Sequence, residues 1–212
     1  MPSINRLPHI GFLSLLLSYF FINALFIYKY STRYLDYTYS LIAAYAIMVG
    51  VIIYGAIKWK RFIVAKRFTY IIIATLFILL TIVVNIMVDG NTLNVDRWSA
   101  MDVAIKAIMS NRYPYSAIDH LDGRTSNLPG LFVLGLPFYL LGDVGFLQTA
   151  TFLLLAFTLW KAPLVRKLSS PGQHIDRILF MVLMFAFSSS YMWEIYVKSD
   201  LMSNFIIVLC AM

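Results

Sequence analysis

The sequence predicts an all-α fold, a polytopic transmembrane helical bundle with about six membrane spans. Three observations lead to that class. Hydrophobic residues fill 61% of the chain and charged residues only 13%, about half the share usual in a soluble domain. Mean hydropathy is +0.79. Apolar runs close to the roughly 20 residues that cross a hydrocarbon core recur from end to end.

Those runs cover 10–28, 39–57, 69–88, 144–160 and 178–193, with a sixth opening at Leu201. The first is too long for the apolar region of a signal peptide, and Lys29-Tyr30 follows it rather than a small-residue cleavage site, so it reads as a retained span. The stretch 131–141 (LFVLGLPFYLL) is apolar but too short to cross, and Gly142-Asp143 interrupts it. Counting it as a span would put the two basic loops on opposite sides, so it is expected to be a short re-entrant or interfacial helix.

Orientation follows from those loops. Segment 58–67 carries Lys58, Lys60, Arg61, Lys66 and Arg67 with no acid, and 161–177 carries Lys161, Arg166, Lys167 and Arg177 against Asp176 alone. Short Lys/Arg-rich loops stay cytoplasmic. This makes 1–68 two N-terminal transmembrane helices with a cytoplasmic loop, and 69–212 a second transmembrane region whose 89–130 loop lies outside with the 194–200 turn. Trp59, Trp98, Trp160 and Trp193 all fall at run ends, where amphipathic rings favour the interface. The net charge of +7 then reflects topology and attraction to anionic membrane lipids. A nucleic-acid partner is not implied, because the charge lies in short loops rather than along one helix face.

The 89–130 loop is where aqueous chemistry is expected. It holds five of the ten acidic residues: Asp89, Asp96, Asp102, Asp119 and Asp122. Ordered connections of that length are usually functional. Within it, Trp98, Met101, Ala104, Ile105, Ile108 and Met109 recur at spacings of three and four, which predicts a juxtamembrane helix over 96–110. Its other face would carry Ser99, Asp102, Lys106 and Ser110. Tyr113-Pro114-Tyr115 ends that helix, and Asp122-Gly123 and Pro129-Gly130 mark turns. Cys210 is the only cysteine, so no intrachain disulfide forms. No Walker, Rossmann or His-Glu-x-x-His motif is present.

Asp96-Arg97, Arg112-Tyr113-Pro114-Tyr115, Leu128-Pro129-Gly130 and Leu140-Leu141-Gly142, with a later Lys198-Ser199-Asp200 opening a helix, together resemble the GT-C superfamily. Its members are integral-membrane glycosyltransferases that use polyprenyl-phosphate sugars, and the likeness is to their bacterial mannosyltransferase-like branch. It covers roughly residues 70–212. Two extra helices precede the usual first one, Asn111 stands where many relatives carry glycine, and the chain stops at Met212 inside an apolar run. An N-terminal portion of a longer enzyme is therefore expected.

The resemblance implies inverting transfer of a sugar from a polyprenyl-phosphate donor to a glycan or lipid acceptor on the outer face, in a bacterial inner (plasma) membrane. It matches Asp96 to the superfamily's first-loop base; the competing reading is a helix N-cap, a place where aspartate is favoured and which Asn94 could also fill. Glu194 and Asp200 would complete the catalytic set, or be solvated loop charges. Arg97, Arg112, Arg124 and Lys198 are the cations available for a phosphate, with Tyr115 beside them; singly, each cation also suits an interfacial anchor. Asp119, His120 and Asp122 form the one tight cluster with ligand chemistry for a divalent cation, against the plainer reading of a polar turn. A transporter or flippase and a non-catalytic scaffold are the alternatives. Transporters gather polar residues at the membrane midplane, and here only Asn23, Asn85 and Asn204 are prominent within spans.

The topology has a direct test. In a Cys210→Ser background, a cysteine at Ser116 should react with an impermeant thiol reagent in intact cells and one at Ser169 should not. Labelling at Ser169 alone reverses the orientation.

Overall fold

The structure is a computed structural model that describes residues 7–32, 35–58, 67–161 and 173–211. Positions 59–66 and 162–172, most of the two basic loops, lie outside the described residues, so the orientation drawn from them remains an expectation from sequence. Nine α-helices occur among the described residues: α1 (Leu7–Ser31), α2 (Thr38–Lys58), α3 (Arg67–Met87), α4 (Arg97–Met109), α5 (Pro129–Leu140), α6 (Phe146–Lys161), α7 (Gln173–Ala186), α8 (Ser189–Tyr196) and α9 (Leu201–Ala211). The all-helical class holds, with an isolated bridge between Ile118 and Arg124 as the one β feature described.

Six spans are not what these helices supply. Three are long and apolar enough to cross a membrane, at Leu13–Ser31, Thr38–Gly55 and Arg67–Met87, and a fourth arises if α7 and α8, bent by 56° at their junction, count as one. That is consistent with a membrane protein. The 144–160 run yields α6, whose 16 residues reach about 24 Å, short of a core of about 30 Å. The run at 131–141 forms α5, a 12-residue helix with Pro137 inside it.

The 178–193 run breaks at 187–188 for a visible reason. Serine competes with helical hydrogen bonding, and three serines follow one another at 188–190. Asn23 of α1 meets them: its Oδ1 accepts from Ser188 Oγ at 2.8 Å, Ser189 Oγ at 3.0 Å and the Ser190 N–H at 2.9 Å. Its Nδ2 donates to Tyr19 O at 2.8 Å. A side chain from a distant helix thus caps the first turn of α8.

The chain divides into two compact units, residues 1–64 with 187–190, and residues 65–186 with 191–212. In the first, α1 pairs with α2, and the Phe20 and Tyr45 rings stack at 6.3 Å. In the second, Phe77 of α3 and Phe152 of α6 meet at 4.4 Å with Tyr191 against both. Tyr70 Oη donates to Ala156 O at 2.6 Å. Thr81 and Thr149 join α3 to α6 through their hydroxyls, 3.1 Å apart, and Thr151 Oγ1 lies 3.4 Å from Ser203 Oγ of α9. Such interhelical bonds supply cohesion where apolar surroundings give no hydrophobic drive between helices.

The helix expected over 96–110 is present as α4, but its inner face is turned from the expected one. Ser99 is buried and Ile108 and Met109 are exposed. Met101 and Ile105 do point inward, onto α5 at Gly135, where an added Cβ would lie 3.0 Å from Ile105 Cδ1 and 3.2 Å from Met101 Sδ. Ser99 turns in because its hydroxyl meets His120 Nδ1 at 2.6 Å. A buried polar partner outweighed the simple apolar period.

Asn23→Leu removes the acceptor from three donors at once, and each donor left buried without water costs about 1–3 kcal/mol. A clear fall in Tm by circular dichroism in detergent is expected, with a smaller one for Ser190→Ala, which keeps its backbone N–H. Equal Tm for Asn23→Leu and wild type would show that Asn23 does not hold the break.

Candidate functional site

Three helix ends in the second unit close in the same way. α4, α5 and α8 each end on a residue of positive φ: Asn111 at 54°, Gly142 at 108° and Lys198 at 52°. In each, that residue's N–H bonds back three residues and the next N–H bonds back five: Asn111 to Ile108 O and Arg112 to Ala107 O, Gly142 to Tyr139 O and Asp143 to Phe138 O, Lys198 to Ile195 O and Ser199 to Glu194 O. This is the Schellman closure, which favours glycine and then asparagine at the left-handed position. Asn111 thereby stands where glycine was expected without changing the turn. Lysine has no such licence; a bulky residue there costs about 1 kcal/mol or more, so its surroundings must hold it.

They do so through its side chain. Lys198 is 3% exposed, and its Nζ donates to Asp143 Oδ2 at 2.5 Å. Asp143 is the residue just past the α5 closure, so two helix ends present the two charges to each other. The other carboxylate oxygen, Oδ1, accepts from Trp98 Nε1 at 2.8 Å and from the Gly145 N–H at 2.7 Å. The Lys198 ammonium also sits 5.4 Å from the Trp98 ring centre, within cation–π reach. Gly90 and Gly145 are required by closeness: a Cβ at Gly90 would fall 2.2 Å from the Trp98 ring, and one at Gly145 would fall 2.0 Å from Asn85 Oδ1.

Beside this cluster opens a cleft of about 350 Å³, walled by Asn85, Asp89, Trp98, Asp143, Phe146 and Lys198 among others. Asn85 is 4% exposed, and neither its Oδ1 nor its Nδ2 has a hydrogen-bond partner. At the rim, hydrogen bonds from the Asn91 backbone and side chain hold the Asp89 carboxyl below the usual range, with smaller contributions from Lys198 and His120.

Arg97, Glu194 and Asp200 also come together. Glu194 and Asp200 are buried, at 4% and 6% exposure, so they are not the solvated loop charges that sequence allowed. Burial pushes the Asp200 carboxyl up, opposed by its own backbone N–H, the charge of Arg97 and the Asn204 side chain. Glu194 Oε2 is buried without a partner. Asp102, on α4, is also raised by burial, opposed by Lys106 and reinforced by Asp143. Asp96 precedes the first turn of α4, exposed and in helical backbone geometry, and its side chain makes no capping hydrogen bond. The carboxylate is free for other work.

Other expected site residues are placed differently. Lys198 is paired with Asp143 and lines the cleft with it. Tyr115 is a strut: its Oη donates to Asn127 O at 3.0 Å and its ring packs on Phe132. Arg112 and Arg124 are exposed. The Asp119–Asp122 segment is built as a turn. Asp119 Oδ1 accepts from the Leu121 and Gly123 N–H groups at 2.8 and 3.0 Å, and Asp122 adopts φ 61°. His120 spends both ring nitrogens, Nδ1 on Ser99 Oγ and Nε2 on Leu93 O at 2.7 Å. Asp119 Oδ2 is buried without a partner, while both His120 ring nitrogens are engaged in this arrangement. No group of three or more His, Cys, Asp or Glu side chains among the described residues is arranged to hold one.

Compared with protein families, curated proteins and solved structures, the chain matches none. The fold and site therefore define a helical protein with membrane-length helices and a charged cleft in its second unit. Sequence reasoning noted Asn85 among the polar residues within spans and set Trp98 on the apolar face of the 96–110 helix, but gave neither of them, nor Asp143, a place in the site. One signal was available: Asp143 is an acid set between two apolar runs, and a charge so placed in a membrane protein is costly unless it has a partner.

Removing one member of a buried ion pair costs about 3–5 kcal/mol, because it strands the other. Asp143→Leu should therefore lower Tm sharply, and the double variant Asp143→Leu/Lys198→Met should recover part of the loss. A double variant no more stable than Asp143→Leu would show that the two charges are not coupled.

Proposed function

We propose that this chain forms the core of a membrane glycosyltransferase that moves a sugar from a polyprenyl-phosphate donor to an acceptor hydroxyl, by inverting displacement, on the outer face of a bacterial inner membrane. The reading starts from the GT-C-like motifs. The observation that carries it further is the set at the start of α4: a carboxylate free of capping duty at Asp96, followed by Arg97, whose charge acts on both Glu194 and Asp200. Transfer to a hydroxyl needs a base for the acceptor proton, and Asp96 takes that role. The departing phosphate needs a cation able to make paired contacts, which suits the exposed guanidinium of Arg97. Glu194 and Asp200 lie within electrostatic reach of Arg97 and keep carboxyl groups beside that guanidinium. Arg112 and Arg124 are open to lipid head groups. No step is assigned to a divalent cation.

A transporter-like reading draws on a different observation, the broken helix between α7 and α8 with polar groups gathered on Asn23. Broken helices mark binding sites in transporters. Here Asn23 already satisfies the groups at the break, which supports the first reading over the second.

Asp96→Asn keeps the size of the side chain and removes the base. In membranes supplied with polyprenyl-phosphate mannose, transfer should fall by about 100-fold or more, while expression and Tm stay at the wild-type level. Asp119→Asn should lose far less. Near-normal turnover in Asp96→Asn would move the base to Glu194 or Asp200.

A further inference from the structure

We infer that the cleft beside the Asp143–Lys198 pair binds a neutral, hydroxyl-rich group, the sugar or polyol that accepts in the transfer proposed above, and excludes the donor's phosphate. The inference rests on that transfer reading for the word acceptor, and on the cleft alone for the chemistry of the ligand. Asn85 is the first ground. A buried amide with no partner costs about 1–3 kcal/mol, and this one lines the cleft with an acceptor oxygen and a donor nitrogen both unspent. Hydroxyl groups, which donate and accept from one atom, satisfy such a side chain; a phosphate, which mainly accepts, does not.

Charge is the second ground. Two carboxylates, Asp89 and Asp143, and one ammonium, Lys198, line the cleft. Lys198 is already answered by Asp143, which leaves Asp89 as an unbalanced negative charge at the rim. An incoming phosphate would meet net repulsion from Asp89 and Asp143 and a cation whose charge Asp143 already balances. A neutral polyol meets no such barrier. It finds an acceptor in Asp89 and a donor and an acceptor in Asn85. The size agrees, since about 350 Å³ is near the lower end of small-molecule sites, suited to a single sugar ring.

Position is the third. Trp98 of the cleft follows Arg97 directly along α4, and Lys198 precedes Asp200 by two residues. The cleft thus adjoins Arg97, the cation assigned to the donor, as transfer between the two requires.

The test reads binding rather than turnover. Saturation-transfer NMR on the purified full chain in detergent would use methyl α-mannopyranoside as the neutral probe and mannose 1-phosphate as the anionic one. The neutral glycoside should bind saturably, mannose 1-phosphate should not displace it, and Asn85→Leu should weaken it by about tenfold or more, the worth of a lost buried polar contact, with Tm equal to or above wild type. Should Asn85→Leu fold poorly, Val88→Phe, which narrows the cleft from the end of α3, should give the same loss. Absence of saturable binding, binding indifferent to both variants, or displacement by mannose 1-phosphate overturns the inference. Asn85-dependent binding in a protein that transfers no sugar would keep the site and remove the transfer reading. Transfer with an unchanged acceptor KM in Asn85→Leu would do the reverse.

Discussion

A lysine ammonium buried among helix ends cannot stand alone, and the second unit is arranged around that constraint. Lys198 occupies a backbone conformation that disfavours it, so the energy that keeps it there has to come from its side chain. Asp143 supplies it, and Asp143 is in turn oriented by Trp98 and by the Gly145 N–H. Gly90 allows the indole to approach, and Gly145 allows Asn85 to approach. The carboxylate thus ties the start of α4, the end of α5, the start of α6 and the end of α8 to one point. A pair of this kind adds little net stability compared with apolar packing, yet separating it is costly. Its value lies in specifying one arrangement of four helix ends.

Backbone satisfaction imposes the second pattern. The last carbonyls of a helix need partners beyond it, and this chain supplies them locally at three helix ends. Three Schellman closures satisfy the ends of α4, α5 and α8, and Asn23 satisfies the beginning of α8. Short helices and sharp breaks become affordable only because these local bonds exist. The outcome is a second unit whose α3 end carries charged and polar side chains, next to an aromatic core of Phe77, Phe152 and Tyr191.

Chemically, that polar end separates two kinds of environment. Around Arg97, a guanidinium lies within electrostatic reach of Glu194 and Asp200, and burial pushes the Asp200 carboxyl up while the Arg97 charge opposes it. Around Asn85, the walls offer hydrogen bonds with a slight excess of negative charge. The two environments lie close together along the chain, because Arg97 and Trp98 are neighbours on α4.

Composition and hydropathy determined the all-helical class and the membrane-length helices α1, α2 and α3, because an apolar run of that length has no other stable form. The period of three and four residues revealed α4, and Pro-Tyr and Pro-Gly marked its surroundings. Those signals are local, carried by residues near one another in the chain. The number of spans was not legible, because run length does not report that Asn23 meets the break in one run from 165 residues away. The inward turn of Ser99 depended on His120, and the role of Lys198 depended on Asp143, 55 residues earlier. Each of these is a long-range polar contact whose energy exists only once the helices have packed, so only the tertiary structure could decide which charges are paired, which are open, and where the cleft lies.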